Sequence, residues 1–102
     1  MTTINGKDIH KLVVACDAGM GSSVMLASQL RKQLKKYSVT VDHAPVDQVP
    51  ADADIVITHA GLAQRARGSS PGKPVVPFQV FIGDPAVTRI VNAVKDGSDL
   101  NV

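Results

Sequence analysis

The chain has 102 residues, 44% of them hydrophobic and 3% aromatic, with 11 Lys and Arg against 9 Asp and Glu for a formal charge of +2. That is one domain with a core of its own, too weakly charged and too poor in stacking rings for a nucleic-acid partner. The single cysteine excludes an internal disulfide and a cysteine zinc site; no apolar run nears the ~18 residues of a membrane span and residues 1–10 are too polar for a signal peptide, so a soluble, cytoplasmic protein is expected.

Residues 1–10 show no hydrophobic period and are expected to be a flexible lead-in to a domain over 11–97, with 98–102 as a tail. Residues 11–15 hold the continuous apolar run Leu12-Val13-Val14-Ala15, the pattern of a central strand covered on both faces. From residue 24 to 36 the spacing is helical: Ser23, Leu26, Ala27, Leu30, Leu34 and Tyr37 share one stripe, with Ser22 or Ser23 as N-cap. Arg31, Lys32, Lys35 and Lys36 read as a solvated helix face. Val39 and Val41 alternate with Thr40 and Asp42 in a half-wet edge strand over 38–43. A short polar crossover holding Pro45 and Pro50 leads to the buried strand Ile55-Val56-Ile57-Thr58, which ends in His59. A short helix over 61–67 is closed by the turn cluster at 68–72. Residues 73–80 read as the other edge strand, because Pro74 and Pro77 cannot donate to a ladder. Asp84 as N-cap and Pro85 at the first helical position open a last helix, whose stripe is Val87, Ile90, Val91 and Val94 and which Gly97 ends.

Strands that alternate with helices predict an α/β fold: a four-stranded parallel sheet in the order 2-1-3-4 with helices on both faces. In such sheets ligands bind beyond the carboxyl ends of the strands, where the order reverses. Cys16, His43, His59 and the stretch 78–82 are expected at that rim.

Between the first buried strand and the first helix stands Cys16-Asp17-Ala18-Gly19-Met20-Gly21-Ser22-Ser23. Loop amides freed by the two glycines, the two hydroxyls and the open N–H groups of a helix start converge on a volume that suits a polyoxygen anion. The same field favours a thiolate, so Cys16 is the candidate nucleophile of a phosphocysteine site. No Lys follows the second glycine as in a nucleotide loop, the third glycine of a dinucleotide fingerprint is missing, and thioredoxin-like chemistry needs a second cysteine. Cysteine phosphatases of the low-molecular-weight kind place an Arg six residues after the cysteine, where this chain has Ser22. Such a loop is suited to load a phosphoryl group and poorly equipped to drive its hydrolysis. The carboxylate of Asp17 either orients the loop by accepting backbone N–H bonds or points outward to a partner. His59 is either a packed strand end or an auxiliary in phosphoryl handling or partner contact; His10 and His43 read as surface residues. No spacing matches a metal ligand set, and no cofactor is expected.

The run from Ala15 to Ser23, the helix after it and Asp54-Ile55-Val56-Ile57-Thr58-His59 resemble the IIB component of the mannitol-type sugar phosphotransferase system, over residues 11–67 and more loosely through the last helix. The resemblance implies that a IIA protein passes phosphoryl from a phosphohistidine to Cys16. It also implies that Cys16 then phosphorylates a sugar or polyol entering through a membrane IIC permease, with Asp17, Ala18, Gly19, Met20, Gly21, Ser22 and Ser23 as the loop around the phosphoryl group. Ala60-Gly61 departs from the charged residues that usually follow Thr-His there, which puts partner preference or substrate in doubt. No IIC span is present, so the permease is expected on a separate polypeptide unless this is an excised domain. A cysteine phosphatase and a regulatory, phosphorylation-sensing IIB-like module are the alternatives.

Overall fold

In the computed structural model, which describes residues 3–16, 21–79 and 84–101, the buried run from Leu12 to Cys16 is the inner strand on which the other layers stack. The elements are β1 (Thr3–Asn5), β2 (Lys11–Cys16), α1 (Gly21–Leu34), β3 (Thr40–Pro45), β4 (Ile55–His59), α2 (Ala63–Ser69), β5 (Val75–Phe78), α3 (Pro85–Asp96) and β6 (Asp99–Asn101). Four of the strands form a parallel sheet, β3-β2-β4-β5, and β1 pairs antiparallel with β6. Among the described residues no helix is long and apolar enough to cross a membrane.

Side chains of a strand alternate between faces, and both faces are covered here. Leu12 and Val14, Ile55 and Ile57, and Val76 and Phe78 pack with Leu26, Leu30 and Leu34 of α1 and Ile90, Val91 and Val94 of α3. Ala15, Val56 and Val75 pack on the other side with Val46 and with Ala66 of α2. Double coverage explains why β2 and β4 read as unbroken apolar runs while β3, at an edge, alternates.

Several boundaries differ from the sequence expectation. α1 opens at Gly21, so Ser22 and Ser23 sit in its first turn, and the N-cap position falls at Met20, outside the described residues. α1 stops at Leu34 and a 3-10 turn, Lys35–Tyr37, follows. The tighter turn takes Tyr37 off the α-helical stripe, leaving it 41% exposed, and Ser38 at φ 57° ends the turn before β3 begins. His43 lies inside β3, in register with Val14 and exposed, rather than at the rim. β5 is confined to Val75–Phe78, and 80–82 lie outside the described residues. α3 begins and ends where the sequence places it. Asp84 accepts a hydrogen bond from the Ala86 N–H at 2.8 Å, Pro85 follows it, and Gly97 at φ 66° closes the helix.

At the amino ends of the strands, Asp54 accepts from the N–H groups of His10 and Lys11 at 2.8 and 2.9 Å. Lys11 Nζ reaches Asp52 at 3.0 Å and Asp42 at 3.7 Å. The hydrogen bond to Asp52 holds the Lys11 amine above its ordinary range, and the same bond holds the Asp52 carboxyl below its own. The stabilisation from Asp52 is therefore present at neutral pH and is lost as pH falls through the carboxylate range. Solvent screening keeps it small.

The lead-in expected to be flexible over 1–10 holds a strand, and it forms one strap with the tail over 98–102. Thr3, Ile4 and Asn5 pair with Asn101, Leu100 and Asp99, and Gly6 N–H donates to Ser98 O at 2.9 Å. These contacts join residues too far apart in sequence for any local period to reveal them. Gly6 lies on the backbone of α3, where a Cβ would stand 1.8 Å from Ala93 O. Gly6→Ala is therefore expected to lower stability by about 3 kcal/mol, the upper end of overpacking costs, in urea unfolding. An unchanged midpoint would mean that this segment is not docked on α3.

Candidate functional site

Cys16 closes β2 and is 8% exposed. Its carbonyl accepts the Val46 N–H at 2.8 Å, and its thiol donates to the Ala44 carbonyl at 3.6 Å. One residue earlier, Ala15 O accepts a hydrogen bond from Thr58 Oγ1 at 3.0 Å, and Thr58 is fully buried. The end of β2 is thus held by both neighbouring strands. A parallel β2–β3 pair forces the chain to cross over the sheet, so α1 runs back along it and its N-terminus opens at the carboxyl rim. Gly21 begins that helix five residues after Cys16. The unpaired N–H groups of a first helical turn and the positive end of the helix dipole favour an anion there. Of the sequence-expected site residues, Asp17, Ala18, Gly19 and Met20 lie outside the described residues, whereas Gly21, Ser22 and Ser23 form the first turn of α1.

His59 ends β4 on the same rim. Its Nδ1 accepts the Gly61 N–H at 3.1 Å, and its ring meets Phe78 edge-on at 5.8 Å. These contacts start the 3-10 turn Ala60–Leu62 that leads into α2. The Gly61 amide is the group His59 caps, a backbone N–H that any residue but proline would supply. His10 lies next to the amino end of β2, away from this rim. Among the described residues no cluster of three His, Cys, Asp or Glu is arranged to hold a metal ion.

Two features were missed from the sequence. Val24 and Met25, in the first turns of α1, are 44% and 61% exposed and lay apolar surface beside the rim. Both fall off the buried stripe through Leu26, Ala27, Leu30 and Leu34, so a strict helical projection would have found them. The hydroxyl of Thr58 was read only as part of a strand ending; its bond crosses to a strand 43 residues away.

His59→Ala removes a turn cap and an edge-on ring contact, and should cost about 1–2 kcal/mol in denaturant unfolding. His59→Asn, whose side chain can still accept the Gly61 N–H, should recover part of it. No loss in either variant would contradict the capping geometry.

Residues 11–93 match the family model described as the PTS system, Lactose/Cellobiose specific IIB subunit. A mannitol-specific EIICB component of the phosphotransferase system from Halalkalibacterium halodurans is 40% identical over 90 residues, which is 86% of this chain and 19% of that protein. The mannitol-specific EIICB component of Bacillus subtilis is 36% identical over 94 residues, 90% of this chain and 20% of the relative. A mannitol-specific cryptic EIICB component of Escherichia coli is 42% identical over 86 residues, 82% of this chain and 18% of the relative. The chain spans about a fifth of the length of these relatives. The family description and the relatives' names differ in sugar but agree in component: the chain belongs to the IIB family of the sugar phosphotransferase system.

Proposed function

We propose that this chain is a phosphocarrier whose Cys16 accepts a phosphoryl group from the phosphohistidine of a IIA protein and passes it to a sugar or polyol delivered by a membrane IIC permease. The observation that carries this reading is the thiol at the end of β2, with the N-terminus of α1 opening five residues on. Residues 17–23 wrap the phosphoryl oxygens in this account, with backbone N–H groups and the hydroxyls of Ser22 and Ser23 as donors. A mannitol-like polyol is the substrate class, since three relatives at 36–42% identity are named mannitol-specific. The work is done at the cytoplasmic face of the membrane that holds the permease.

In the loading step Sγ attacks phosphorus in line. The S–P bond forms as the P–N bond breaks, and the electron pair goes to the donor imidazole, which takes up the thiol proton. In the second step a substrate hydroxyl oxygen attacks phosphorus, the S–P bond breaks, and the leaving thiolate recovers the hydroxyl proton. Both steps rest on positioning and charge stabilisation, so the chain needs no base of its own. Among the described residues the hydrogen-bond partner of the thiol is a carbonyl, which orients Sγ and cannot take its proton. Phosphatase chemistry lacks support in the same geometry. Ser22 stands where a clamp arginine is needed, and Arg31 is engaged with Val41 O and Asp42 toward the other end of the sheet.

In this account Val24 and Met25, exposed on the first turns of α1, offer the docking partner an apolar contact. Incubating the protein with phosphoenolpyruvate, the general phosphotransferase proteins and a IIA donor should add one phosphoryl, ~80 Da, to its intact mass through the in-line transfer above. Cys16→Ser should show no adduct with its fold unchanged. A Ser variant that still relays phosphoryl to sugar would overturn the mechanism. Met25→Glu should raise the KM for the donor about 10-fold, equivalent to ~1.4 kcal/mol of lost contact, while leaving the maximal loading rate within about twofold. An unchanged KM would remove Met25 from the docking surface.

A further inference from the structure

We propose that Thr58 is a positioning residue for the phosphorylation of Cys16, acting through the peptide unit that carries the Cys16 amide. The inference rests on the relay reading above.

Two peptide units flank the Cys16 Cα, and a bond from a different strand or loop holds each. The unit between Ala15 and Cys16 is held through its oxygen by Thr58 Oγ1 at 3.0 Å; the unit after Cys16 is held through its oxygen by Val46 N–H at 2.8 Å. These two bonds restrain the carbonyls on either side of the Cys16 Cα, adding to the ladder pairing of Ala15 with Thr58 and of Cys16 with Pro45, and so limit the direction of the Cα–Cβ bond. The remaining freedom of the thiol is rotation about χ1, away from the Ala44 carbonyl where it rests.

The chemistry of the position supports a role for the hydroxyl itself. Thr58 is fully buried in a strand whose other inner residues are Ile55, Val56 and Ile57. Valine has the same shape and would fill that space without burying an oxygen, which costs free energy unless it is bonded. The bond it makes is to the residue before the nucleophile. Thr58 does not meet the phosphoryl group in this account. It aims the atom that does, and displacement of a reacting atom by about 1 Å can cost ~100-fold in rate.

Thr58→Val and Thr58→Ser should be compared with the wild type in two assays on the whole chain. In phosphoryl loading from the IIA donor, Thr58→Val should lower the maximal rate at least ~10-fold with the donor KM unchanged, and Thr58→Ser should stay within about threefold of wild type. In alkylation of the unloaded protein by iodoacetamide under folding conditions, Thr58→Val should react several-fold faster, because the strand end no longer holds the thiol against Ala44, and Thr58→Ser should match wild type. A Thr58→Val protein that loads within twofold of wild type overturns the proposal. So does a Thr58→Ser protein as impaired as Thr58→Val, since that would assign the effect to the lost methyl. A wild type that never loads refutes the relay itself, and the alkylation rates then separate that failure from the absence of a clamp on the thiol.

Discussion

A parallel strand pair cannot be closed by a tight turn. Once β2 and β3 lie parallel, the chain leaving Cys16 must travel back over the sheet before it can re-enter, and α1 is that return path. The site depends on this one constraint. It puts the end of a buried strand, a four-residue connection and the N-terminus of a 14-residue helix at one edge of the sheet. The backbone dipoles of that helix start supply positive potential there. In the proposed carrier role, a phosphoryl group held by amides there would be stabilised without the arginine charge that would assist its transfer to water.

The two rims of the sheet have different tasks. At the amino ends, Asp54, Lys11, Asp52 and Lys73 join loops and strand starts by hydrogen bonds, and β1 and β6 strap the chain ends beside α3. Among the described residues at the carboxyl ends, Val46 and Thr58 hold the backbone of Cys16, His59 caps the turn into α2, and Asp84 joins Gln79 to the start of α3. Val24 and Met25 are exposed on the first turns of α1, the helix that opens at this edge.

The parallel α/β architecture was legible because its signals are local. Unbroken apolar runs mark doubly covered strands, and Asp84, Pro85 and Gly97 punctuate α3 within a few residues of its real limits. The candidate nucleophile was legible for the same reason, as one cysteine at a strand-to-helix junction. What escaped the sequence is non-local or geometric. The β1–β6 strap joins residues 94 to 98 positions apart and is too short to show a period. The Thr58 bond spans 43 residues, and the exposure of Tyr37 follows from a switch to 3-10 geometry that composition does not announce. His59 was flagged by its residue type, and its observed bonds make it a cap and a packing surface for Phe78.

The most direct test of the central claim is an amide proton–nitrogen correlation spectrum of the protein before and after loading. If backbone amides at the end of β2 and the start of α1 hold the phosphoryl group, the largest shifts will fall within residues 16–24, moving downfield as expected for N–H groups donating to phosphate oxygens. The strap formed by β1 and β6 will hold still. A loaded protein whose amides at 16–24 do not move, or whose largest changes lie at the opposite rim, would contradict the account.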